Sequence, residues 1–168
     1  MSQSAPDMLL RGAGRRGDQP LPEQLPRRTI RENAATLGAV PLFMGFSKKH
    51  LQRLAAEVDE LTFDKRAVIV EEGMLGETLF VVLSGKGKVS RAGKKVGEVL
   101  PGDFFGELST IDGGPRTATV AAETPMRVLR LFRHTLVSLL RDEPRLTLKL
   151  LDGVVRRIRE VQRATYGH

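Results

Sequence analysis

The chain has 168 residues, which is enough for one ordinary domain with flanking segments. It contains no cysteine, and this excludes disulfide scaffolds, thiolate zinc sites and cysteine nucleophiles. The net charge of +7 is spread along the chain instead of being gathered into one basic motif, so we favour a basic surface over direct nucleic-acid binding. No apolar run approaches the roughly 18 residues that span a bilayer, and residues 1–16 lack a secretory apolar block, so we expect a cytoplasmic protein.

The N-terminal third of the chain reads as an arm followed by helices. Residues 1–28 are rich in proline, glycine and arginine, a composition that buries too little apolar surface and predicts a disordered arm. A short helix is predicted from Thr29, with Glu32 as its capping-box partner. Ser47 is the predicted N-cap of a second helix, after a buried connector at residues 41–43. The apolar face of that helix carries Leu51, Leu54, Ala55 and Val58.

Between Leu61 and Phe132 the apolar pattern changes from helical spacing to short β-branched runs. Turn signals such as Glu72-Gly73, Ser84-Gly85 and Ala92-Gly93 separate these runs. Short strands divided by glycine turns predict an antiparallel β-roll, similar to a jelly-roll barrel. The predicted strands are residues 67–70, 79–83, 96–100, 117–120 and 128–131.

Two helices are predicted to close the chain, which gives an α+β fold class. The first ends near Leu140, and the second begins at Pro144 and runs to about Thr165. The order is therefore N-terminal helices, β-roll, helix and helix. We divide the chain into the arm, a central part over residues 29–140 and a C-terminal part over residues 141–168.

One stretch, residues 104–118, interrupts the strand pattern with one helical turn and a Gly-Gly-Pro loop. A helix N-terminus presents free backbone N–H groups that suit an anion, and Gly106 lets a ligand approach the backbone. Arg116 can offer a planar fork to a phosphate, and Glu107 can accept a hydrogen bond from a ribose hydroxyl. Spacing alone is equally compatible with a surface turn that is closed by a Glu107–Arg116 ion pair.

This stretch resembles the phosphate-binding cassette of the cyclic-nucleotide-binding domain family, which includes catabolite activators, kinase regulatory subunits and channels. The similarity lies in Phe105-Gly106-Glu107-Leu108, a short helix, and Pro115-Arg116-Thr117-Ala118. It extends over roughly residues 37–163, where the entry helices and the roll turns resemble those of the family. The two closing helices resemble its hinge and its lid. Arg66 is a departure, because family members usually have a turn glycine there.

The resemblance implies a ligand, cAMP with cGMP as the second candidate, and neither a metal nor a further cofactor. It implies that Arg116 pairs with the cyclic phosphate and that Glu107 takes the ribose 2′-hydroxyl. It also implies that backbone N–H groups near Gly106, Leu108 and Ser109 complete the phosphate cradle. Charged hydrogen bonds of this kind contribute about 1.5–3 kcal/mol each in a sheltered site.

Two further residues are implied as ligand contacts. Thr117 offers a hydroxyl beside the phosphate that can also meet a guanine amino group, or it is an ordinary strand residue. Arg157 matches the lid arginine that covers the purine in channel-like members, or it is a solvated helix charge. Tyr166 is a weaker candidate for covering the base.

The favoured function is a stand-alone sensor or regulatory module that binds a cyclic nucleotide and signals by movement of its last helix. The alternative is the effector domain of a catabolite-activator-like regulator that lacks its DNA-binding part. The predicted partners are the nucleotide and either a second subunit or an unidentified effector protein. An apolar stripe on the last helix packs on the roll or pairs with a second subunit. Its members are Leu151, Val154, Ile158, Val161 and Thr165.

Roll folds also house metal-dependent enzymes, so we weighed that class. Their sites need histidine and carboxylate ligands that cluster on facing strands. His50, His134 and His168 all fall outside the predicted strands, and no serine–histidine pair is visible. We therefore predict a binding protein and not an enzyme.

Overall fold

A computed structural model describes residues 23–24 and 30–166 of the chain. The predicted arm lies outside the described residues, except that Glu23–Gln24 form a short strand instead of disordered chain. The described helices are α1 (Ile30–Gly38), α2 (Lys48–Glu57), α3 (Glu107–Asp112), α4 (Arg133–Asp142) and α5 (Pro144–Tyr166), with a 3₁₀ turn at Pro41–Phe43 between α1 and α2. The described strands are β1 (Glu23–Gln24), β2 (Asp59–Phe63), β3 (Val68–Val70), β4 (Thr78–Ser84), β5 (Gly87–Arg91), β6 (Lys94–Val99), β7 (Phe104–Phe105), β8 (Thr119–Ala122) and β9 (Met126–Phe132).

The strands form two antiparallel sheets, and together with the flanking helices they confirm the predicted α+β roll. The larger sheet has the strand order β1-β2-β9-β4-β7, and the smaller one has the order β3-β8-β5-β6. The hairpin of β5 and β6 turns at Ala92–Gly93, where both φ angles are positive, at 51° and 77°. A two-residue hairpin turn of this kind matches the twist of its strands, so the predicted turn at this position is confirmed.

Besides β1, the strands β2, β5 and β7 were not among the predicted strands. The sequence of β5 is Gly-Lys-Val-Ser-Arg, which contains a single apolar β-branched residue, yet β5 pairs with β6 on one side and β8 on the other. Backbone pairing supplied by these neighbours outweighs the weak local preference. The predicted strand at residues 117–120 is shifted and lies at Thr119–Ala122 instead. The register with β5 sets this position, because Thr119 pairs with Ser90 and Ala122 with Gly87.

The larger sheet separates two cores by the alternation of its side chains. On β4, Leu79 and Val81 pack among the helices, whereas Phe80 and Val82 pack inside the roll. A strand places successive side chains on opposite faces, so the single run Leu-Phe-Val-Val serves both cores. The helical core includes Leu54 of α2. It also includes Leu42 and Phe43, which belong to the predicted buried connector.

Three polar contacts fasten the start of α5 to the N-terminal helices. Glu143, between α4 and α5, binds the Nδ1 atom of His50 on α2. Arg53 on α2 donates to Asp142 at the end of α4 at 2.7 Å. Lys149 on α5 donates to the carbonyl oxygen atoms of Pro41 and Met44, each at 2.8 Å. The first turns of α5 are thereby held beside the 3₁₀ turn, and the predicted hinge and lid helices are both confirmed as helices.

Most of the apolar stripe predicted on α5 faces outward. Val154 is half-buried, and next to it Gly153 is buried against the ring of Phe104. The other four predicted members, Leu151, Ile158, Val161 and Thr165, are exposed. Two further apolar residues extend the exposed surface into a row with members spaced three and four residues apart. The exposed row is Leu148, Leu151, Val155 and Ile158, and Val161 beside it is also exposed.

Arg66 occupies the third position of a turn that joins β2 to β3. The Ala67 N–H donates to the Asp64 carbonyl at 3.0 Å and closes the turn. Arg66 has a φ of 76°, a left-handed conformation that disfavours residues with a Cβ atom. The departure from the family glycine therefore leaves the turn in place, with arginine in a backbone conformation suited to glycine.

We predict that Arg66→Gly raises the free energy of unfolding relative to Lys65→Gly by about 1–2 kcal/mol, since only Arg66 carries left-handed strain. Both exposed side chains are replaced by glycine, so the added freedom of the unfolded chain is the same for the two variants. Urea unfolding of both variants measures the difference. If Arg66→Gly and Lys65→Gly lower the free energy of unfolding equally, the backbone of Arg66 is not strained.

Candidate functional site

The segment of residues 104–118 forms the predicted short helix between two glycine residues. Gly106 precedes α3 with a φ of 85°, and Gly113 follows it with a φ of 72°. Both conformations are left-handed, which glycine adopts without steric cost. The Gly113 N–H donates to the Ser109 carbonyl at 2.9 Å and ends the helix. The N-terminal turn of α3 is thereby placed directly after β7, with its first backbone N–H groups free of intrahelical partners.

Arg116 lies under this turn and is only 7% exposed. Its Nη1 atom donates to the Ser109 hydroxyl at 2.7 Å, to the Thr78 carbonyl at 2.9 Å and to the Gly106 carbonyl at 3.1 Å. Its Nη2 atom donates to the Thr78 hydroxyl at 3.0 Å. Burial lowers the pKa of the Arg116 guanidinium, and the nearby negative charge of Glu107 opposes that shift.

The four hydrogen bonds of Arg116 all go to neutral oxygen atoms, so its buried positive charge is well positioned to attract an anion. The alternative of a surface turn with a Glu107–Arg116 ion pair is wrong. Glu107 is 2% exposed, and its ion pair is with Arg157 on α5.

The Arg116 guanidinium fits into its position because two neighbouring residues are glycine and have no side chain. A Cβ atom on Gly76 would lie 2.4 Å from the Nε atom of Arg116. A Cβ atom on Gly106 would lie 2.5 Å from its Nη1 atom and 2.8 Å from the Thr78 carbonyl oxygen. Gly106 is required, because an added Cβ atom would meet backbone and its φ of 85° disfavours other residues, whereas a methyl group at position 76 would have to displace the Arg116 guanidinium. Sequence reasoning missed Gly76 and Thr78 as parts of the site, because nothing in their local pattern relates them to an arginine some forty positions later.

Glu107 and Arg157 meet across the face of β7. The Nη1 atom of Arg157 donates to Oε1 of Glu107, and its Nη2 atom donates to the Phe104 carbonyl. The Arg157 guanidinium also lies 5.2 Å from the centre of the Phe104 ring, a cation–π contact. The second oxygen of Glu107, Oε2, is buried without a hydrogen-bond partner among the described residues. The structure therefore brings Arg157 to the predicted cassette, where its contact is with Glu107.

The side chains of the remaining predicted site residues differ in their exposure to solvent. Ser109 is 2% exposed and uses its hydroxyl on Arg116, whereas the Leu108 side chain is 41% exposed. Thr117 is exposed, and its carbonyl accepts a hydrogen bond from the Arg91 side chain at 3.0 Å. Tyr166 is 72% exposed at the end of α5. For Leu108, only the backbone is placed to contribute to an anion site.

The described residues contain neither a candidate metal site nor a candidate membrane span. Within residues 23–24 and 30–166 no group of three or more histidine, aspartate and glutamate side chains could hold a metal ion. In the same part of the chain no helix is both long and apolar enough to cross a membrane. His50 lies on α2 and His134 on α4, as expected from their absence in the predicted strands, and His168 lies outside the described residues.

Comparison with known proteins identifies relatives that are regulators. The chain is 31% identical over 128 residues to the CRP-like cAMP-activated global transcriptional regulator of Mycobacterium tuberculosis, covering 73% of this chain and 57% of that protein. It thus spans little more than half the length of this curated relative. Among solved structures, the catabolite activator protein of Thermus thermophilus is 29% identical, with a TM-score of 0.63 over 73% of this chain and 60% of that chain.

A second solved structure shares the fold at lower identity. The regulatory domain of Toxoplasma gondii PKA, crystallised with cAMP, is 24% identical, with a TM-score of 0.66 over 74% of this chain and 49% of that chain. The family model described as the cyclic nucleotide-binding domain matches residues 60–143, half of the chain. Those residues include both sheets' central strands, the glycine-bounded helix and Arg116, and the chain belongs to the cyclic nucleotide-binding domain family.

Proposed function

We propose that this chain is a sensor or regulatory module that binds cAMP, with cGMP bound comparably or more weakly. The observation that carries the proposal is the buried guanidinium of Arg116, whose hydrogen bonds all go to neutral oxygen atoms beside a helix N-terminus. An anionic phosphate satisfies that charge with charge-assisted hydrogen bonds. Further support comes from the similar regulator of M. tuberculosis, which is cAMP-activated, and from the T. gondii PKA regulatory domain, which was crystallised with cAMP.

In the proposed complex, each cassette residue has one role. Arg116 binds the exocyclic oxygen atoms of the cyclic phosphate, and backbone N–H groups at Gly106, Leu108 and Ser109 complete the cradle. Glu107 accepts a hydrogen bond from the ribose 2′-hydroxyl. This assignment is supported by the buried oxygen Oε2 of Glu107, which has no partner among the described residues and would gain a donor.

Two contacts outside the phosphate cradle complete the proposal. Thr117 is the proposed contact beside the phosphate, with an exposed side chain that a bound base can approach. Arg157 is the proposed ligand contact from α5. Its hydrogen bonds to the Glu107 carboxylate and to the Phe104 carbonyl support this proposal, because they place its side chain at the cassette. The ligand is the only small molecule proposed, and we propose no catalytic activity. The alternative, the effector part of a transcriptional regulator, is supported by the M. tuberculosis relative, of which this chain spans 57%.

Isothermal titration with cAMP and with cGMP tests the binding proposal. We expect Arg116→Ala to lose about 2–5 kcal/mol of binding free energy, because a buried phosphate then lacks its counter-charge. Glu107→Ala should lose less, because it removes one hydroxyl contact. Gly76→Ala should also weaken binding, because the added methyl displaces the Arg116 guanidinium.

Gly97→Ala is the matched control for Gly76→Ala, since a Cβ atom on Gly97 meets nothing within 4 Å. It should bind as the unsubstituted chain does. If neither cAMP nor cGMP binds the unsubstituted chain, the proposed function is wrong. Small and equal losses for the Arg116 and Glu107 variants would refute the assigned division of roles.

We further propose that the bound nucleotide signals through α5. A ligand shifts a helix only when it binds one of the two arrangements more tightly. The contact that supports this proposal is made by Gly153, where a Cβ atom would lie 2.4 Å from the ring of Phe104 in β7, the strand that leads into the glycine-bounded helix. Docking of α5 against β7 is therefore sensitive to any movement of the cassette.

Hydrogen exchange over residues 144–163, with and without saturating cAMP, measures this coupling. We expect a cAMP-dependent change in the unsubstituted chain and in Asp152→Ala, a control at an exposed neighbouring position. Gly153→Ala should lose the change, although alanine favours the helix by about 1 kcal/mol, because its methyl group collides with the Phe104 ring. Unchanged exchange in a chain that binds cAMP would mean that α5 carries no signal.

The second proposed partner is another copy of this chain. The exposed row on α5 has the three- and four-residue spacing of a coiled-coil seam, on a helix of 23 residues that is about 35 Å long. We expect Leu151→Asp and Ile158→Asp to convert a dimer to a monomer in analytical ultracentrifugation. Val96→Asp, at a 54% exposed valine on β6, is the control and should leave the mass unchanged. A monomeric unsubstituted chain would leave an effector protein as the partner of this surface.

A further inference from the structure

We propose that β1 is a covering strand: it occupies the edge of β2 within its own chain and thereby keeps a second copy of the chain from pairing there. The larger sheet has the order β1-β2-β9-β4-β7. The covered edge and β7, the strand that leads into the cassette helix, therefore lie at opposite edges of this sheet. Covering of the β2 edge is thus independent of the proposed nucleotide binding.

The edge of a sheet is a row of unpaired backbone N–H and C=O groups, on which a strand of another molecule can form hydrogen bonds. In the part of the chain that the structure describes, the other three sheet edges are protected. β7 has two residues and β3 has three, and very short edge strands offer little to a partner. β6 has six residues, but it begins with Lys94 and Lys95, and lysine on an edge opposes pairing.

The strand β2 has neither kind of protection. It has five residues, Asp59–Phe63, which pair with β9 on one side along their whole length. Its two acidic side chains are already neutralised within the sheet. Asp59 forms an ion pair with Arg130 at 2.7 Å, and Glu60 forms one with Arg127. Without β1, the larger sheet would therefore end in a five-residue strand whose charges are paired.

The side chains of β2 also fit an antiparallel pairing with the same strand of a second copy. In a symmetric pair that is centred on Leu61, Asp59 lies opposite Phe63 of the second copy. Glu60 then lies opposite Thr62 of the second copy. Like charges that face each other destabilise a strand pair, and this arrangement contains none. The side-chain pattern of β2 therefore permits association of two copies through this edge.

The strand β1 covers the edge of β2 with a segment that is poorly suited to extend the sheet further. Glu23 pairs with Thr62 and the next residue pairs with Leu61, so β1 lies against the central part of β2. In the sequence, Pro22 directly precedes β1, and Pro26 follows it after one residue. Proline has no backbone N–H and occurs in sheets mainly on edge strands, where it limits further pairing. A strand between two proline residues is therefore suited to end a sheet.

Sedimentation of a chain in which β1 is loosened tests the proposal. Glu23→Pro together with Gln24→Pro removes both backbone N–H groups of β1 and defines the loosened chain. Every chain in this experiment also carries Leu151→Asp, because the exposed row on α5 is a separate proposed contact. We expect the loosened chain to approach twice the monomer mass as its concentration rises. The chain with the native β1 should remain a monomer.

A further substitution in the loosened chain identifies the surface that associates. Thr62→Glu adds a carboxylate that faces Glu60 of the second copy at two places in the symmetric pair, so it should return the loosened chain to a monomer. Val96→Glu is the matched control, at a 54% exposed valine on β6, and should leave the association unchanged. Thermal unfolding shows that each variant is folded.

Disulfide formation tests whether β1 covers its own chain. The chain contains no cysteine, so an introduced pair has no competing thiol. Glu23→Cys with Thr62→Cys places two thiols at facing positions, and we expect a disulfide within one chain in non-reducing electrophoresis. Gln24→Cys with Thr62→Cys is the control. Successive side chains of a strand point to opposite faces, so this second pair should not form a disulfide.

Three results would overturn the proposal. The first is a loosened chain that is folded and stays monomeric at every concentration. The second is an association that Thr62→Glu leaves unchanged, because another surface would then be responsible. The third is a facing cysteine pair that forms no disulfide, or that links two chains, because β1 would then not cover β2 of its own chain. The disulfide result applies even if the loosened chain fails to fold.

Discussion

The burial of one guanidinium group organises the site. Arg116 can lie beneath α3 only because Gly76 and Gly106 carry no side chain, and its charge is held by oxygen atoms of β4 and of the cassette. Burying a charge without a counter-charge costs free energy, and in this site the cost is reduced by four hydrogen bonds to neutral acceptors. Glu107 is the nearby negative charge but makes none of these hydrogen bonds, so the guanidinium can still bind an anion directly, which is the physical basis of the proposed phosphate recognition.

A second interaction relates that site to the rest of the molecule. The cassette follows β7 directly, and Phe104 on β7 supports both Gly153 and Arg157 of α5. At its other end, α5 is fastened to the 3₁₀ turn by Lys149. The same helix therefore contacts both the cassette and the 3₁₀ turn between the N-terminal helices, which is the physical basis of the proposed signalling through α5.

Local pattern was sufficient for much of the fold. Ser47 caps α2 as predicted and accepts the His50 N–H at 3.2 Å, because capping depends on residues within one turn. The turn at Ala92–Gly93 and the helix starting at Glu107 were predictable for the same reason. The local sequence pattern did not predict β5, because this segment forms a strand through its backbone pairing with β6 and β8. On α5 the pattern gave the helical period and four of the five exposed members of the stripe, whereas Val154 is half-buried beside Gly153, which packs on Phe104.

The sequence by itself determined the order of the helices around the roll and the position of the glycine-bounded cassette, which contains Arg116 and Glu107. These features depend on periodicity and on residues that are close along the chain. Only the tertiary structure decided that Thr78 holds Arg116 and that Arg157, not Arg116, pairs with Glu107. Those contacts join residues 38 and 50 positions apart, and their geometry depends on strand register and on the rotation of α5, neither of which a local pattern specifies.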